Sequence, residues 1–301
     1  GKRSSKASFN LRAQISTTGF SKITAVYSNN KAFAVLMENK TVFVWGDATY
    51  GGDMTTPSGL SNVKAISGCD RGFAALMEDG TVATWGSFTY DIPSGVTGVN
   101  TIYSNREAFA ALKQDGTVVS WGLYIGNNIG YAVPGGLTGV MDIYSTDGAF
   151  VALKVDGSVA AWGRSNYGEA TLTQALYDSS YNLFIRVVSI CSTSHAFAAQ
   201  KQDGTVEAWG LAAYGGGAPS VSNVNAIYSN YYAFAAINLQ DGTVTAWGDT
   251  ARGGNAPAIV TNTSEPGFDA ATEIYSTEQA FVARRRDGTM TAWGNSSFGG
   301  N

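Results

Sequence analysis

The chain has 301 residues, of which 14% are charged, well under the roughly 25% of an ordinary soluble domain. A formal charge of −4 and a pI near 5.0 speak against nucleic acid as a partner, because neutralising phosphates needs a basic surface. No apolar run approaches the roughly 20 residues of a bilayer span and no leader with a hydrophobic centre is present, so no membrane insertion is expected. This balance suits a secreted or surface-exposed β protein, and an extracellular or cell-surface setting is the expectation.

Residues 1–20 come first and belong to no repeat. Lys2, Arg3 and Lys6 make their start locally basic. "FNLRAQIS" (9–16) then alternates, with Phe9, Leu11, Ala13 and Ile15 on one side, the pattern of a half-buried strand. Such a strand can complete the last blade of the array that follows and latch it. Alternatively it can pair with the open edge of another molecule, which would make the chain a self-assembling subunit of a fibre or coat.

From residue 21 onward the sequence repeats itself. All seven tryptophans, Trp45, Trp85, Trp121, Trp162, Trp209, Trp247 and Trp293, are followed by Gly. Each is preceded by a phenylalanine (Phe33, Phe73, Phe109, Phe150, Phe197, Phe234, Phe281) at an interval of 12 residues in six copies and 13 in the sixth. In "AFAALKQDGTVVSWG" (108–122) two short apolar, β-branched runs flank Asp-Gly, a hairpin signature. Asp-Gly recurs at Asp79, Asp115, Asp156, Asp203, Asp241 and Asp287, and the first copy has Asn39-Lys40 instead. Upstream, "TAVYS", "NTIYS", "MDIYS", "NAIYS" and "TEIYS" read as a further strand. Both faces of "AFAAL" are apolar, so each small sheet must be covered on two sides.

Seven such sheets side by side predict an all-β, seven-bladed β-propeller with three- to four-stranded blades over 21–301. An open solenoid is the competing architecture. One buried Trp hides roughly 150–250 Å², about 4–6 kcal/mol gross at about 25 cal/mol/Å². Disulfide staples are therefore unnecessary, and Cys69 and Cys191, at different repeat positions, are expected to remain two buried thiols.

The unit "HAFAAQKQDGTVEAWG" (195–210) resembles the regulator-of-chromosome-condensation repeat, and its short spacing is similar to the compact version found in β-lactamase inhibitory protein II. The resemblance covers residues 21–301, seven times, and implies the propeller fold. The histidine of that repeat survives only at His195; Lys31, Arg71, Glu107, Gly148, Tyr232 and Gln279 take its place elsewhere. The Gly six residues after Trp is kept at Gly51, Gly168, Gly215, Gly253 and Gly299, without the Gln that usually follows. Activity in this family resides in variable loops, so neither nucleotide exchange nor β-lactamase inhibition carries over.

Enzymatic chemistry finds little support. The one histidine, His195, stands at a structural position of the repeat, whereas Ser-His or Cys-His catalysis needs it as a base. No metal-ligand spacing occurs, no cofactor is implied, and "YGGGAP" (214–219) lacks the Lys-Ser/Thr of a phosphate loop. Carboxylates converging in a channel would leave no sequence trace, so an enzyme or exchange factor stays as a distant alternative.

Surface loops remain. Five residues after each Trp stand Tyr50, Tyr90, Gly126, Tyr167, Tyr214, Arg252 and Phe298, with Tyr124 close to the gap. Gathered on one face they would form a binding surface rich in the residue types that anchor interfaces; otherwise each ring packs over the neighbouring blade. Tyr27, Tyr103, Tyr144, Tyr228 and Tyr275 read as inner-strand packing. Two inserts, 171–187 and 259–271, are where either specificity or drift is accommodated. Asn39, Asn262 and Asn295 begin N-x-S/T sequons, usable in a eukaryotic secretory setting. The expected function is a non-enzymatic interaction or structural module whose partner is a protein, copies of itself or a glycan.

Overall fold

The computed structural model describes residues 22–53, 60–87, 92–122, 131–168, 177–178, 183–184 and 186–300. The N-terminal segment 1–20, Tyr90, Gly126, Tyr124 and most of the first insert lie outside them. Two compact units divide the chain, Gly1–Thr89 and Tyr90–Asn301.

Among the described residues of the first unit are two three-stranded antiparallel sheets: blade 1 (Ile23–Ser28, Ala32–Met37, Val42–Gly46) and blade 2 (Val63–Cys69, Gly72–Met77, Val82–Gly86). The second unit holds five more. Blade 3 is Val99–Ser104, Ala108–Lys113 and Val118–Gly122; blade 4 is Val140–Ser145, Ala149–Lys154 and Val159–Gly163. Blade 5 comprises Val187–Ser192, Ala196–Lys201 and Val206–Gly210, blade 6 Val224–Ser229, Ala233–Asn238 and Val244–Gly248, and blade 7 Ala271–Ser276, Ala280–Arg285 and Met290–Gly294. The fold class is all-β, and these seven sheets, each three-stranded among the described residues, are the blades of a β-propeller.

Every blade is built to one register. Phe on the middle strand lies opposite Trp on the third, as in Phe197 and Trp209, and the two rings stack at centroid distances from 5.2 Å in blade 1 to 5.7 Å in blade 3. A register shift after the first residue of the first strand recurs in all seven sheets, bending that strand as β-bulges do.

The hairpin tips refine the Asp-Gly reading. Only the glycine takes a left-handed φ, 77° at Gly116 and 79° at Gly80, and Lys40 supplies it at 65° in blade 1. Gly116 N donates to Lys113 O and Lys113 N to Thr117 O, the pattern of a type I turn followed by a left-handed residue. The aspartate works through its side chain: Asp115 Oδ1 accepts from Thr117 N at 3.0 Å and from Thr117 Oγ1 at 2.6 Å. Asn39 keeps the same bonds to Thr41. These bonds to Thr117, with Lys113 nearby, hold the Asp115 carboxyl at about 2. In blade 6 the extra residue widens the turn, so that Gly242 N reaches Asn238 O and Leu239 projects outward.

The alternation along the middle strand assigns its two faces. In blade 4 Ala149, Val151 and Leu153 pack on blade 5, against Phe197, Ala199, Ile190 and Trp209. Blade 1 turns Ala32, Ala34 and Leu36 toward Phe73, Ile66 and Trp85 of blade 2 in the same way. At these junctions one blade presents a leading face carrying Phe, Trp and Ile, and the blade before it a trailing face that runs from alanine, through Ala or Val, to leucine. Tyr27, Tyr103, Tyr144 and Tyr228 border these junctions from the trailing side.

Cys69 and Cys191 form no disulfide. Cys69 is buried; Cys191 is half-buried, its Sγ 3.1 Å from Ser229 Oγ, and burial pushes its thiol up. The second insert contributes a short helix, α1 (Ala258–Thr261), whose Val260 is fully buried against the blade 6–7 core. The first insert includes a two-stranded pair, Tyr177–Asp178 with Leu183–Phe184.

Candidate functional site

Where the Gly six residues after Trp is kept, the chain makes a 3-10 turn: Ala48–Tyr50, Ser165–Tyr167, Ala212–Tyr214, Thr250–Arg252 and Ser296–Phe298. Each turn is closed by that glycine in the left-handed region, from 87° at Gly51 to 111° at Gly253. No Cβ could be accommodated at Gly168, since it would sit 2.7 Å from Phe197 Cδ2. The turn is also tied to its own blade. Asn29 Nδ2 donates to Tyr50 O at 2.8 Å, Thr146 Oγ1 to Tyr167 O at 2.8 Å, Thr193 Oγ1 to Tyr214 O at 3.0 Å and Asn230 Nδ2 to Arg252 O at 2.7 Å.

Held this way, the last residue of four of the turns, Tyr50, Tyr167, Tyr214 and Arg252, meets a side chain at the repeat's histidine position. In the second unit a continuous stack results. The Arg164 guanidinium lies 5.0 Å from the Tyr167 ring, Tyr167 is 4.1 Å from His195, His195 4.3 Å from Tyr214, Tyr214 5.4 Å from Tyr232, and Arg252 covers Tyr232 at 4.4 Å. In the first unit Tyr50 has Lys31 at 4.5 Å and Arg71 at 6.0 Å. The structure therefore brings Tyr167, Tyr214 and Arg252 together with one another and places Tyr50 between two cations in the first unit, with ring faces engaged. Phe298 is exposed. Gly148 is small because Tyr167 lies over it, 2.8 Å from where its Cβ would be.

Beside this stack runs a second line that sequence reading missed. The residue preceding the histidine position hydrogen-bonds through its backbone to the next blade: Arg106 N to Asp147 O (3.3 Å), Asp147 N to Ser194 O (2.9 Å), Ser194 N to Tyr231 O (3.1 Å) and Tyr231 N to Glu278 O (3.1 Å). Side chains knit the same rim. Arg106 Nη1 pairs with Asp147 at 3.2 Å, and Tyr231 Oη donates to the same carboxylate. Burial, then that bond, pushes the Tyr231 phenol up to about 12. Glu107 holds Arg164 at 2.9 Å and accepts from Tyr131 Oη at 3.2 Å. The available signal was a variable polar residue following Ser-Asn or Ser-Thr in every copy but the second, as in "YSNRE", "YSTDG" and "YSTEQ".

Ser194 and His195 are adjacent, with Oγ and Nδ1 2.8 Å apart. Ser194 Oγ donates to the Tyr231 carbonyl at 2.8 Å, so toward His195 it is the acceptor, the reverse of a nucleophile delivering its proton to a base. Burial lowers the imidazole below its ordinary value; Arg106 and Arg164 act in the same direction and Asp147 opposes them. Among the described residues no three His, Cys, Asp or Glu side chains gather as a metal site, and no helix is long and apolar enough to cross a membrane.

No family model matches the chain, and no curated protein matches it. Solved structures do. The ectodomain of the receptor kinase CR4 from Physcomitrella patens is similar at 16% identity and a TM-score of 0.47, over 92% of this chain and 74% of that one. The computationally designed Ika8 protein is 20% identical with a TM-score of 0.44, covering 91% and 84%. Prp20p from Saccharomyces cerevisiae, described with its binding to Gsp1p and histones, is 19% identical with a TM-score of 0.46, covering 78% and 74%.

Proposed function

We propose that this chain is a non-enzymatic protein-interaction module of the extracellular or cell-surface kind, and that it docks its partner on the rim formed by the stacked side chains and by Arg106, Asp147, Ser194, Tyr231 and Glu278. One observation carries the reading. The backbone of this rim repeats from blade to blade with the same hydrogen bonds, while its side chains change from cationic to acidic to aromatic. A rigid frame with interchangeable exposed groups is how specificity is written onto a repeat scaffold, and Arg and Tyr are the residues that anchor such contacts. The compact-repeat resemblance and the residue range 21–301 as one propeller belong to the same proposal. So does glycosylation, for which the exposed Asn262 and the hairpin-tip Asn39 are the acceptors; Asn295 spends its amide on Gln279 Oε1 at 2.9 Å.

The test is affinity capture with chemical crosslinking from the source organism's extracellular fraction, using wild type, a rim variant (Arg106→Ala with Gln279→Ala) and a hairpin-tip variant (Lys113→Ala with Lys154→Ala), all checked for equal thermal unfolding. The expected result is a partner crosslinked at the rim, lost with the rim variant and retained by the tip variant. Crosslinks at the tips, or retention by the rim variant, would refute the assignment.

A further inference from the structure

The chain's one histidine, His195, is held from several directions inside the second unit. Tyr167 stacks on the imidazole at 4.1 Å, and Tyr214, tilted by 32°, meets it at 4.3 Å. The backbone is fixed at both ends: His195 N donates to Thr193 Oγ1 at 3.4 Å, and His195 O accepts from Leu211 N at 3.0 Å. Nδ1 lies 2.8 Å from Ser194 Oγ. The residue is nevertheless only half-buried. With its ring faces stacked and Nδ1 engaged, the exposure it keeps belongs to the Nε2 edge.

Ser194 fixes which nitrogen carries the proton. Both lone pairs of the Tyr231 carbonyl are taken by this one residue, from its N at 3.1 Å and its Oγ at 2.8 Å, and a hydroxyl has a single proton to give. With that proton on Tyr231 O, Ser194 Oγ accepts from the imidazole. The neutral ring therefore carries its hydrogen on Nδ1 and leaves Nε2 bare, and Nε2 has no partner among the described residues. The charged groups that face it are matched in pairs: Arg106 with Asp147 at 3.2 Å and Arg164 with Glu107 at 2.9 Å. Tyr231 and Tyr131 each add a hydroxyl to one of those carboxylates. Burial lowers the imidazole below its ordinary value, Asp147 opposing and the two arginines assisting, so the ring is neutral at pH 7.5.

We propose that His195 Nε2 is the hydrogen-bond acceptor in the middle of the rim, and that the docked protein meets it edge-on with a neutral donor, a hydroxyl or an amide N–H. The stacked rings leave an approach in the imidazole plane, which suits a single donor atom. The paired charges leave no net field for a Lys or Arg to seek, and a carboxylate would face a bare lone pair. This rests on docking at the rim and names what the partner must bring there. It also sets a sign. Protonation puts a hydrogen on Nε2 and turns the acceptor into a donor, so binding weakens as the pH falls through the imidazole's titration.

Three readouts on the full chain test it. A single histidine makes 15N-histidine NMR unambiguous: at pH 7.5 the proton is expected on Nδ1, and a proton on Nε2 overturns the proposal. Diethyl pyrocarbonate, which acylates an accessible unprotonated imidazole nitrogen, is expected to modify His195 in the free chain and to be blocked when the protein that crosslinks at the rim is bound. Failure to react, or reaction undiminished in the complex, overturns it as well. The third is the affinity of that crosslinked protein for wild type and for His195→Phe, which keeps a ring in the stack without a nitrogen, both checked for equal thermal unfolding. The variant is expected to bind about tenfold more weakly at pH 7.5, the worth of one neutral hydrogen bond, and to lose the further weakening that wild type shows at pH 5. Capture at the rim that is indifferent to His195→Phe overturns this inference and leaves the rim assignment standing; a wild type that captures nothing at the rim overturns both.

Discussion

The junction between blades 4 and 5 and that between blades 3 and 4 have the same floor and different lids. In the first, Gly168 lies on the Phe197–Trp209 stack and its carbonyl accepts the indole N–H at 3.0 Å. In the second, Tyr131 meets Phe150 edge-on at 6.1 Å, with Val133 and Leu137 alongside, and its hydroxyl is directed to Glu107. Trp162 Nε1 is buried there without a hydrogen-bond partner among the described residues. The Phe–Trp platform is therefore the invariant part, and what it demands is an apolar cover. The glycine turn adds a hydrogen bond and a close backbone approach, and with them an intolerance of any side chain.

That intolerance gives the largest expected effect. Gly168→Ala forces a Cβ to 2.7 Å from Phe197 Cδ2 at a φ of 103°. Left-handed strain costs about 1–3 kcal/mol and overpacking a comparable amount, so a loss of about 2–4 kcal/mol by chemical denaturation is expected. Gly135→Ala, in the segment that follows Tyr131, meets nothing within 4 Å at a φ outside the left-handed region and should be nearly neutral. Equal losses at both sites would end the distinction between the two lids.

A smaller effect separates the indoles. Trp209→Phe and Trp162→Phe remove the same bulk from buried positions, but only the first breaks a hydrogen bond that the structure shows. Trp209→Phe also strands the Gly168 carbonyl. It should therefore cost about 1 kcal/mol more, the ordinary net worth of such a bond. Identical values would mean that Trp162 Nε1 has an acceptor of equal strength.

Much of this was legible in the sequence because it repeats. Seven Phe-to-Trp intervals set the register that pairs Phe197 with Trp209, and the five retained glycines after Trp coincide with the five 3-10 turns. Asp-Gly marked the hairpin tips, although the aspartate's part, accepting from Thr117 twice, is a side-chain bond that a φ argument does not contain. The candidate site was legible only in outline. Tyr167 and Tyr214 were singled out by spacing, but their stacking on His195 depends on how far one blade is displaced from the next, which no single-repeat pattern encodes. Arg106, Asp147 and Tyr231 were missed for a related reason. They lie 41, 84 and 125 residues apart in the chain, and Arg106 and Tyr231 share the Asp147 carboxylate only because successive blades hydrogen-bond edge to edge.

The smallest expected effect asks whether the stack itself contributes to holding blades 4 and 5 together. Burial between Tyr167 and Tyr214 lowers the His195 pKa from its ordinary 6.5, so the folded chain binds the imidazole proton less readily than the unfolded chain does. Stability from this source is then fully present above about pH 6.5 and declines as the pH falls toward the folded value, because the unfolded state takes up the proton first. Urea denaturation of wild type between pH 7.5 and 5 should show that decline, and His195→Gln, which keeps a planar polar group without a titrating proton, should flatten it. At the hairpin tips the bonds from Thr81, Thr117, Ser158, Thr205 and Thr289 lower Asp79, Asp115, Asp156, Asp203 and Asp287, Asp115 to about 2, and these carboxyls leave the window clear. A slope that persists in His195→Gln would assign it to another group and leave the histidine as a spacer between two rings.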